Sequence, residues 1–469
     1  MPDWDLAVIG AGSAGLSVAY GAARLGLRVA LIERGAMGGD CLNAGCVPSK
    51  ALLACAHAAR RARGAGRFGV QLPAPRIDWD GVRAHVRGTI AAIAPADSEE
   101  RYRGLGAEVI RASARFVAPD AILAGGRRLT ARRFVVAAGS RPAIPPVPGL
   151  DAVPHLTNET LFDLPERPGH LLILGGGPVG LEMAQAHAGL GCRVTLVESG
   201  PIAPREDPQL VAGLRAVLRE EGVALHENAA VIRAETGPVL VLEDGTRLAG
   251  THLLVAAGRR PNIEDLDLPA GNVAASARGI ATDAGLRSTS NRRVFAAGDI
   301  ADPAGIGPRA FTHVGSYHAG IVIRRAVFRL PGRVDYRALP RVTYTDPELA
   351  QVGLTEAEAR AAGMAVGVHR FDMRENDRAI AEGAAEGMAK LVMAGGRLVG
   401  AGVLAPGAGE MIGVATLAIG QRLKASALAG MIVPYPTRAE ALKRAAAEPL
   451  AMRLFSARGT WLARLLMRV

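Results

Sequence analysis

Cysteine is scarce in this chain, which has only Cys41, Cys46, Cys55 and Cys192 in 469 residues, and so few thiols exclude a disulfide-rich secreted scaffold. Long apolar runs are missing too: no stretch of about 18 residues, enough to span a bilayer, stays hydrophobic. The start, MPDWDLAVIG, has no basic segment ahead of an apolar one. We therefore expect neither a signal peptide nor a transmembrane span, and a cytoplasmic protein in which a lasting structural disulfide is disfavoured. Aromatic residues make up 4% of the chain, and lysine is confined to positions 50, 390, 424 and 443. The net charge of +11 is thus scattered arginine, without a dense basic run interleaved with aromatics, and it signals no nucleic-acid partner.

Glycine, by contrast, is abundant (58 residues), and 49% of the chain is hydrophobic. That balance suits an α/β protein with tight turns and close backbone approaches. The length exceeds what one core organises, so several domains are expected.

Two segments repeat one plan of strand, glycine turn, helix and strand: DLAVIGAGSAGLSVAYGAARLGLRVALIER (5–34) and HLLILGGGPVGLEMAQAHAGLGCRVTLVES (170–199). Gly10, Gly12 and Gly15 form one G-x-G-x-x-G; Gly175, Gly177 and Gly180 form the other. Each is followed, at the same offset, by an acid closing the next strand, Glu33 and Glu198. A lone match is weak, but each copy here has its strand, helix and acid. The first glycine makes the turn, the second admits a pyrophosphate, and the third lets helix pack on strand. The helix N-terminus then offers free N–H groups to the phosphates. Two dinucleotides on one chain is the economical reading.

Three more apolar strands run into glycine turns: FVVAAGSRP (134–142), LLVAAGRRPN (253–262) and VFAAGDIAD (294–302). The Pro-rich RPAIPPVPG (141–149) marks a crossing between domains. A helix is expected over 310–329. Beyond the Pro/Gly stretch near 331–340 lies a different region, with strand-like 341–346 and 390–405. The last 22 residues are basic and amphipathic, with Arg453, Arg458, Arg464 and Arg468 among Leu, Phe and Trp461. Such a tail packs on its own protein or a partner subunit, or less often lies on a membrane surface.

Taken in order, GGDCLNAGCVPSK, AAGSRP, GGGPVGLEMAQ, AAGRRPN, AAGDIAD and YPTRAE resemble the flavoprotein disulfide reductases, the pyridine nucleotide-disulfide oxidoreductases that include dihydrolipoamide dehydrogenase, glutathione reductase and mercuric reductase. The resemblance implies an α/β fold with two Rossmann-like domains, for FAD and NAD(P)H, and an α+β C-terminal dimerisation domain. The corresponding boundaries are 1–149 and 271–335 for FAD, 150–270 for NAD(P), and 336–469 for the interface domain. It implies a homodimer whose active site the other subunit completes. FAD is expected at Gly10, Gly12, Gly15, Glu33, Gly39, Asp40, Lys50, Ala114, Gly139 and Asp299, with Phe311, Thr312 and His313 at the pyrimidine end of the flavin. The nicotinamide dinucleotide is expected at Gly175, Gly177, Gly180, Glu198 and Gly258. Lys50 and Glu182 match the Lys–Glu pair beside the flavin.

On a continuous helix Cys41 and Cys46 are separated by roughly 7.5 Å of rise, beyond the Cα limit of about 7 Å for a disulfide. To bond, Leu-Asn-Ala-Gly between them must form an irregular turn, for which Asn43 and Gly45 are suited. Pro48 then fits the first turn of a helix, and Cys46 lies at its N-terminus, where the dipole favours a thiolate. A disulfide closing so short a loop stabilises the fold little, so its value is redox. Two unrelated core thiols are the alternative. A metal site is disfavoured because no second pair completes four ligands. Cys55 and Cys192 read as packing residues. By resemblance, electrons pass from the nicotinamide through the flavin to the disulfide, with Cys46 next to the flavin and Cys41 facing the acceptor.

Glu198 favours a ribose diol over a 2′-phosphate, and Ser199 and Gly200 beside it supply no cation, so NADH is expected over NADPH. The lipoamide and glutathione enzymes carry a His in an H-P-x-x-x-E motif near the C-terminus. Here VPYPTRAE places Tyr435 there, while Glu440 remains. A tyrosine is a poor proton shuttle at neutral pH. Mercuric reductases are similar in having Tyr at this place, and a soft metal on thiolates needs no such base. Against that reading, the chain ends RLLMRV without vicinal cysteines and has no N-terminal C-x-x-C domain. The expected activity is an FAD- and NADH-dependent reductase acting through the thiols on a metal ion such as Hg(II), or on a disulfide. A flavin-only NADH dehydrogenase reducing quinone or oxygen is an alternative, and a non-enzymatic redox sensor is another.

Overall fold

The computed structural model describes residues 2–467; Arg468 of the tail lies outside them. The first unit is built on β1 (Trp4–Ile9), α1 (Ser13–Arg24) and β2 (Val29–Glu33). Its central sheet is parallel, running from Ala107–Arg111 through β2 and β1 to Arg127–Val136 and Val294–Ala296. Residues 6–9 of β1, 29–32 of β2, Val294–Ala296 and the 134–136 end of the long strand are apolar and buried, as a sheet covered on both faces requires. The long strand Arg127–Val136 also pairs antiparallel with Ala121–Ala124, which pairs with Ala114–Ala118.

The second unit repeats the plan in space. Strands Ala224–His226, Arg193–Val197, His170–Leu174 and His252–Val255 lie parallel in that order, flanked by an antiparallel trio over 231–249. The two crossings between the units run side by side, because Ser140–Pro142 pairs antiparallel with Arg259–Pro261. Leu266 and Leu268 already pack in the first core, beside Phe116 and Phe134.

The third unit is a five-stranded antiparallel sheet, in the order 340–343, 348–353, 397–405, 388–394 and 366–372. Helices Ala408–Gly420 and Glu440–Leu454 share its core.

Two short elements set the site. α2 (Gly39–Asn43) ends at Ala44–Gly45, and α3 (Cys46–Arg63) starts afresh. The backbone therefore breaks between the thiols, as a disulfide requires. α3 then leaves the first unit: Leu52, Leu53 and Ala56 share a core with Leu181, Met183 and Ala184 of helix Pro178–Gly189. A Cβ on Gly189 would lie 3.0 Å from that of Ala56, so the glycine lets the two helices close up. This packing carries Lys50 to Glu182. The expectation that the tail packs on its own protein is not met: no described residue after Ala446 is buried.

Candidate active site

The two glycine loops have matching geometry. Gly10 (φ +104°) and Gly175 (φ +120°) hold a backbone that L side chains rarely adopt. A Cβ there would meet the carbonyl oxygens of Ala137 and Ala256, both at 2.4 Å. At Gly15 and Gly180 a Cβ would fall 1.8 and 1.9 Å from the carbonyl oxygens of Gly10 and Gly175. The middle glycines differ. Beyond Gly12 the nearest atom to such a Cβ is the Gly39 Cα at 3.9 Å, and beyond Gly177 nothing lies within 4 Å. Each open space sits at a helix N-terminus, so both loops fit a pyrophosphate.

The acids anchor to their loops in the same way. Glu33 Oε2 accepts from Ala11 N–H (2.6 Å) and Oε1 from Gly35 N–H (2.6 Å). Glu198 Oε2 accepts from Gly176 N–H (2.6 Å), and Oε1 from Gly200 N–H (3.2 Å) and the Ser199 hydroxyl (3.0 Å). Among the described residues no Lys or Arg forms an ion pair with Glu198. Ala114 is buried just after Ala112, whose N–H donates to the Glu33 carbonyl (3.0 Å).

Asp40 and Asp299 are joined through residues the sequence reading missed. Ser140 Oγ donates to Asp299 Oδ2 (2.5 Å). Arg259 donates to Ser140 Oγ (2.7 Å) and lies 3.2 Å from Asp40 and 3.8 Å from Asp299. Asn158 donates to Asp40 Oδ1 (2.8 Å). Burial raises the Asp299 carboxyl above its ordinary range, against the Ser140 hydrogen bond and the Arg259 charge. A signal existed: Ser140 and Arg259 each follow an AAG turn, at Gly139 and Gly258, and the crossing ribbon brings them together.

Helix Thr312–Ala326 starts at the thiols. Ser13 Oγ donates to the Thr312 carbonyl (2.9 Å), the Phe311 and His313 rings stack at 5.2 Å, and Thr312 Oγ1 lies 3.3 Å from Cys46 Sγ. Burial lowers the His313 pKa.

The two thiols are electrostatically unequal. Cys46 is lowered to about 6, first by the hydrogen bond from the Cys41 thiol, then by the Thr312 hydroxyl and the Lys50 charge, against burial. Cys41 moves far upward, because its proton serves the Cys46 sulfur and burial adds to the shift. Lys50 Nζ pairs with Glu182 Oε2 (2.8 Å) and stands 4.3 Å from the centre of the Tyr344 ring. The Tyr344 N–H donates to Glu182 Oε1 (3.0 Å). Tyr344 thus holds both members of the pair, although in sequence RVTYTD reads only as a strand.

Tyr435 and Glu440 lie in the third unit, and neither hydrogen-bonds to the thiol site of its own chain. Tyr435 is 71% exposed, and its hydroxyl donates to Asp377 Oδ2 (2.9 Å). Asp377, rather than Glu440, is therefore the acid on this tyrosine. Glu440 Oε2 instead accepts from Thr437 N–H (3.4 Å) at a helix start. Cys192 is buried and Cys55 half-buried in the core shared with α3, and burial raises both thiols, Cys192 to about 11.

The family model for pyridine nucleotide-disulphide oxidoreductase matches residues 4–323, and the model for the dimerisation domain of the same family matches 339–446. The chain is 38% identical to a mercuric reductase of Streptomyces lividans, over 94% of this chain and 95% of that protein. It is 35% identical to a dihydrolipoyl dehydrogenase of Thermus scotoductus, over 95% and 97%. Among solved structures it is similar to the Cu(II) complex of the HOCl-induced flavoprotein disulfide reductase RclA of Escherichia coli. That likeness has a TM-score of 0.83 and 27% identity, over 94% of this chain and 98% of that one.

Proposed function

Because the chain belongs to the pyridine nucleotide-disulphide oxidoreductases, FAD-dependent enzymes that use NAD(P)H, we propose that it is an NADH-preferring reductase whose Cys41–Cys46 dithiol delivers electrons to a soft metal ion such as Hg(II). The observation that carries this reading is the geometry at the thiols: the backbone breaks at Ala44–Gly45 between the two cysteines, and Cys46 opens α3 with Thr312 Oγ1 3.3 Å from its sulfur and Lys50 one turn further on. FAD, bound on the first cradle, supplies the two-electron relay between nicotinamide and thiols.

In this reading Gly10, Gly12, Gly15, Gly39 and Glu33 receive the adenosine and pyrophosphate half of FAD, and Asp40 and Asp299 receive its middle. Ala114 and Gly139 complete that path, and Phe311, Thr312 and His313 receive the far end of the flavin. Gly175, Gly177, Gly180, Glu198 and Gly258 receive the nicotinamide dinucleotide. The Lys50 ammonium, held by Glu182 and Tyr344, faces the flavin edge and keeps positive charge beside Cys46. The Cys46 sulfur stays ionised at neutral pH, while Cys41 carries the proton until an acceptor approaches. Tyr435, Asp377 and Glu440 come from the partner in a homodimer and line the acceptor side. A cytoplasmic setting suits a dithiol that must cycle.

Glu198 supports the nucleotide preference, since its carboxylate would repel a 2′-phosphate and no Lys or Arg among the described residues pairs with it. We expect kcat/KM for NADH to exceed that for NADPH by about tenfold or more; comparable values would count against it. The acceptor is tested by NADH-oxidation assays across Hg(II), low-molecular-weight disulfides, lipoamide and quinones. The wild type is expected to prefer the metal. Tyr435→His restores a base and is expected to raise disulfide turnover about tenfold or more. No gain in that variant would mean that the missing base is not what limits disulfides.

A further inference from the structure

Helix Glu440–Leu454 buries Ala441, Leu442, Ala445 and Ala446 against the third sheet, and its buried face ends there, at the residue where the family match also ends; its last hydrogen bond to the sheet joins Glu448 and His369 (3.0 Å). The chain nevertheless continues as a second helix, Ala457–Leu466, which buries no residue at all. Phe455 is 82% exposed and Trp461 65%, with Leu462, Leu465 and Leu466 exposed beside them. An isolated helix of ten residues is marginal in water, and a contiguous apolar surface of this kind marks an interaction site.

Charge identifies the occupant. After Glu448 no acidic residue follows, while Arg453, Arg458 and Arg464 are interspersed with the apolar side chains. A second copy of this chain, at +11 overall, is on balance of the same sign as the tail. An anionic bilayer surface is complementary, and it accepts Trp, Phe and Leu at the acyl boundary while the guanidinium groups meet the headgroups. We propose that residues 449–467 dock the enzyme on anionic lipid membranes, lying in the interface without crossing it. No helix among the described residues is long and apolar enough to span one. The active site stays in the aqueous phase, tethered close to the membrane surface.

The test is co-sedimentation of the purified, FAD-loaded full-length protein with phosphatidylglycerol–phosphatidylcholine vesicles and with pure phosphatidylcholine vesicles. Binding to the anionic vesicles is expected to be about tenfold or more tighter and to weaken at high salt. Tryptophan emission should shift blue on binding, and Trp461→Phe should remove the shift. Truncation after Glu448, and separately the double variant Trp461→Glu/Leu465→Glu, should abolish sedimentation while NADH oxidation and the dimer mass by light scattering stay unchanged. Equal binding to both vesicle types, or sedimentation that survives truncation, would overturn the proposal. So would truncation that turns a dimer into monomers, because the tail would then cover a second copy.

Discussion

Cys41→Ser is expected to lower turnover of any thiol-reactive acceptor by about a thousandfold or more while NADH still bleaches the flavin. The serine removes the sulfur that meets the acceptor but keeps a hydroxyl donor beside Cys46. Cys41→Ala removes both. The foremost cause of the low Cys46 pKa is the Cys41 hydrogen bond, so the two variants separate the two roles. In the serine variant the thiolate, seen as long-wavelength thiolate–flavin absorbance or as alkylation rate, should persist as pH falls to about 6, and be lost below it. In the alanine variant the same signal should be lost at a higher pH, nearer the ordinary cysteine value of about 8.5. If both variants lose it at the same pH, the hydrogen bond is not the cause. If acceptor turnover survives in Cys41→Ser, the flavin reaches the acceptor without the thiols.

Lys50→Met is the second large effect. Glu182 is buried and keeps only the Tyr344 N–H at 3.0 Å once its ammonium partner at 2.8 Å is gone. Stranding a buried carboxylate destabilises by several kcal/mol when the pair is fully enclosed. Lys50 retains 37% of its side-chain exposure, so solvent screening reduces the expected loss to about 2 kcal/mol. Reduction by NADH should slow by about a hundredfold, as when a preorganised charge is removed from a reacting centre. Lys50→Met/Glu182→Leu should recover most of the lost stability, measured by denaturant midpoint, without recovering the rate. Recovery of both would make the pair a structural clamp only.

The parts of this site that lie close together in sequence were legible in it. Each cradle is specified by three glycines and an acid on one strand–helix–strand unit, so spacing alone located Gly10 to Glu33 and Gly175 to Glu198. The broken backbone between Cys41 and Cys46 followed from helix rise and from Gly45, but Asn43 is not part of the turn: it closes α2, its side chain donates to the Met37 and Gly39 carbonyls, and the break falls at Ala44–Gly45. What stayed hidden comes from distant segments. Arg259 reaches Asp40 and Asp299 only because two crossings pair as a ribbon. Tyr344 reaches Lys50 only because the third unit docks beside α3. Asp377, 58 residues before Tyr435, reaches its hydroxyl only through contacts within that unit. The tail read correctly as basic and apolar, but its periodicity said nothing of what it packs against.

The proposed chemistry needs a second redox centre beside the flavin. An anaerobic titration with NADH or dithionite, with protein thiols counted at the end point, tests that directly. The wild type should take up two electron pairs per subunit, one for the flavin and one for the Cys41–Cys46 disulfide, and should release two thiols that Cys41→Ser cannot. Uptake of a single pair with no new thiols would contradict it and leave a flavin that works alone.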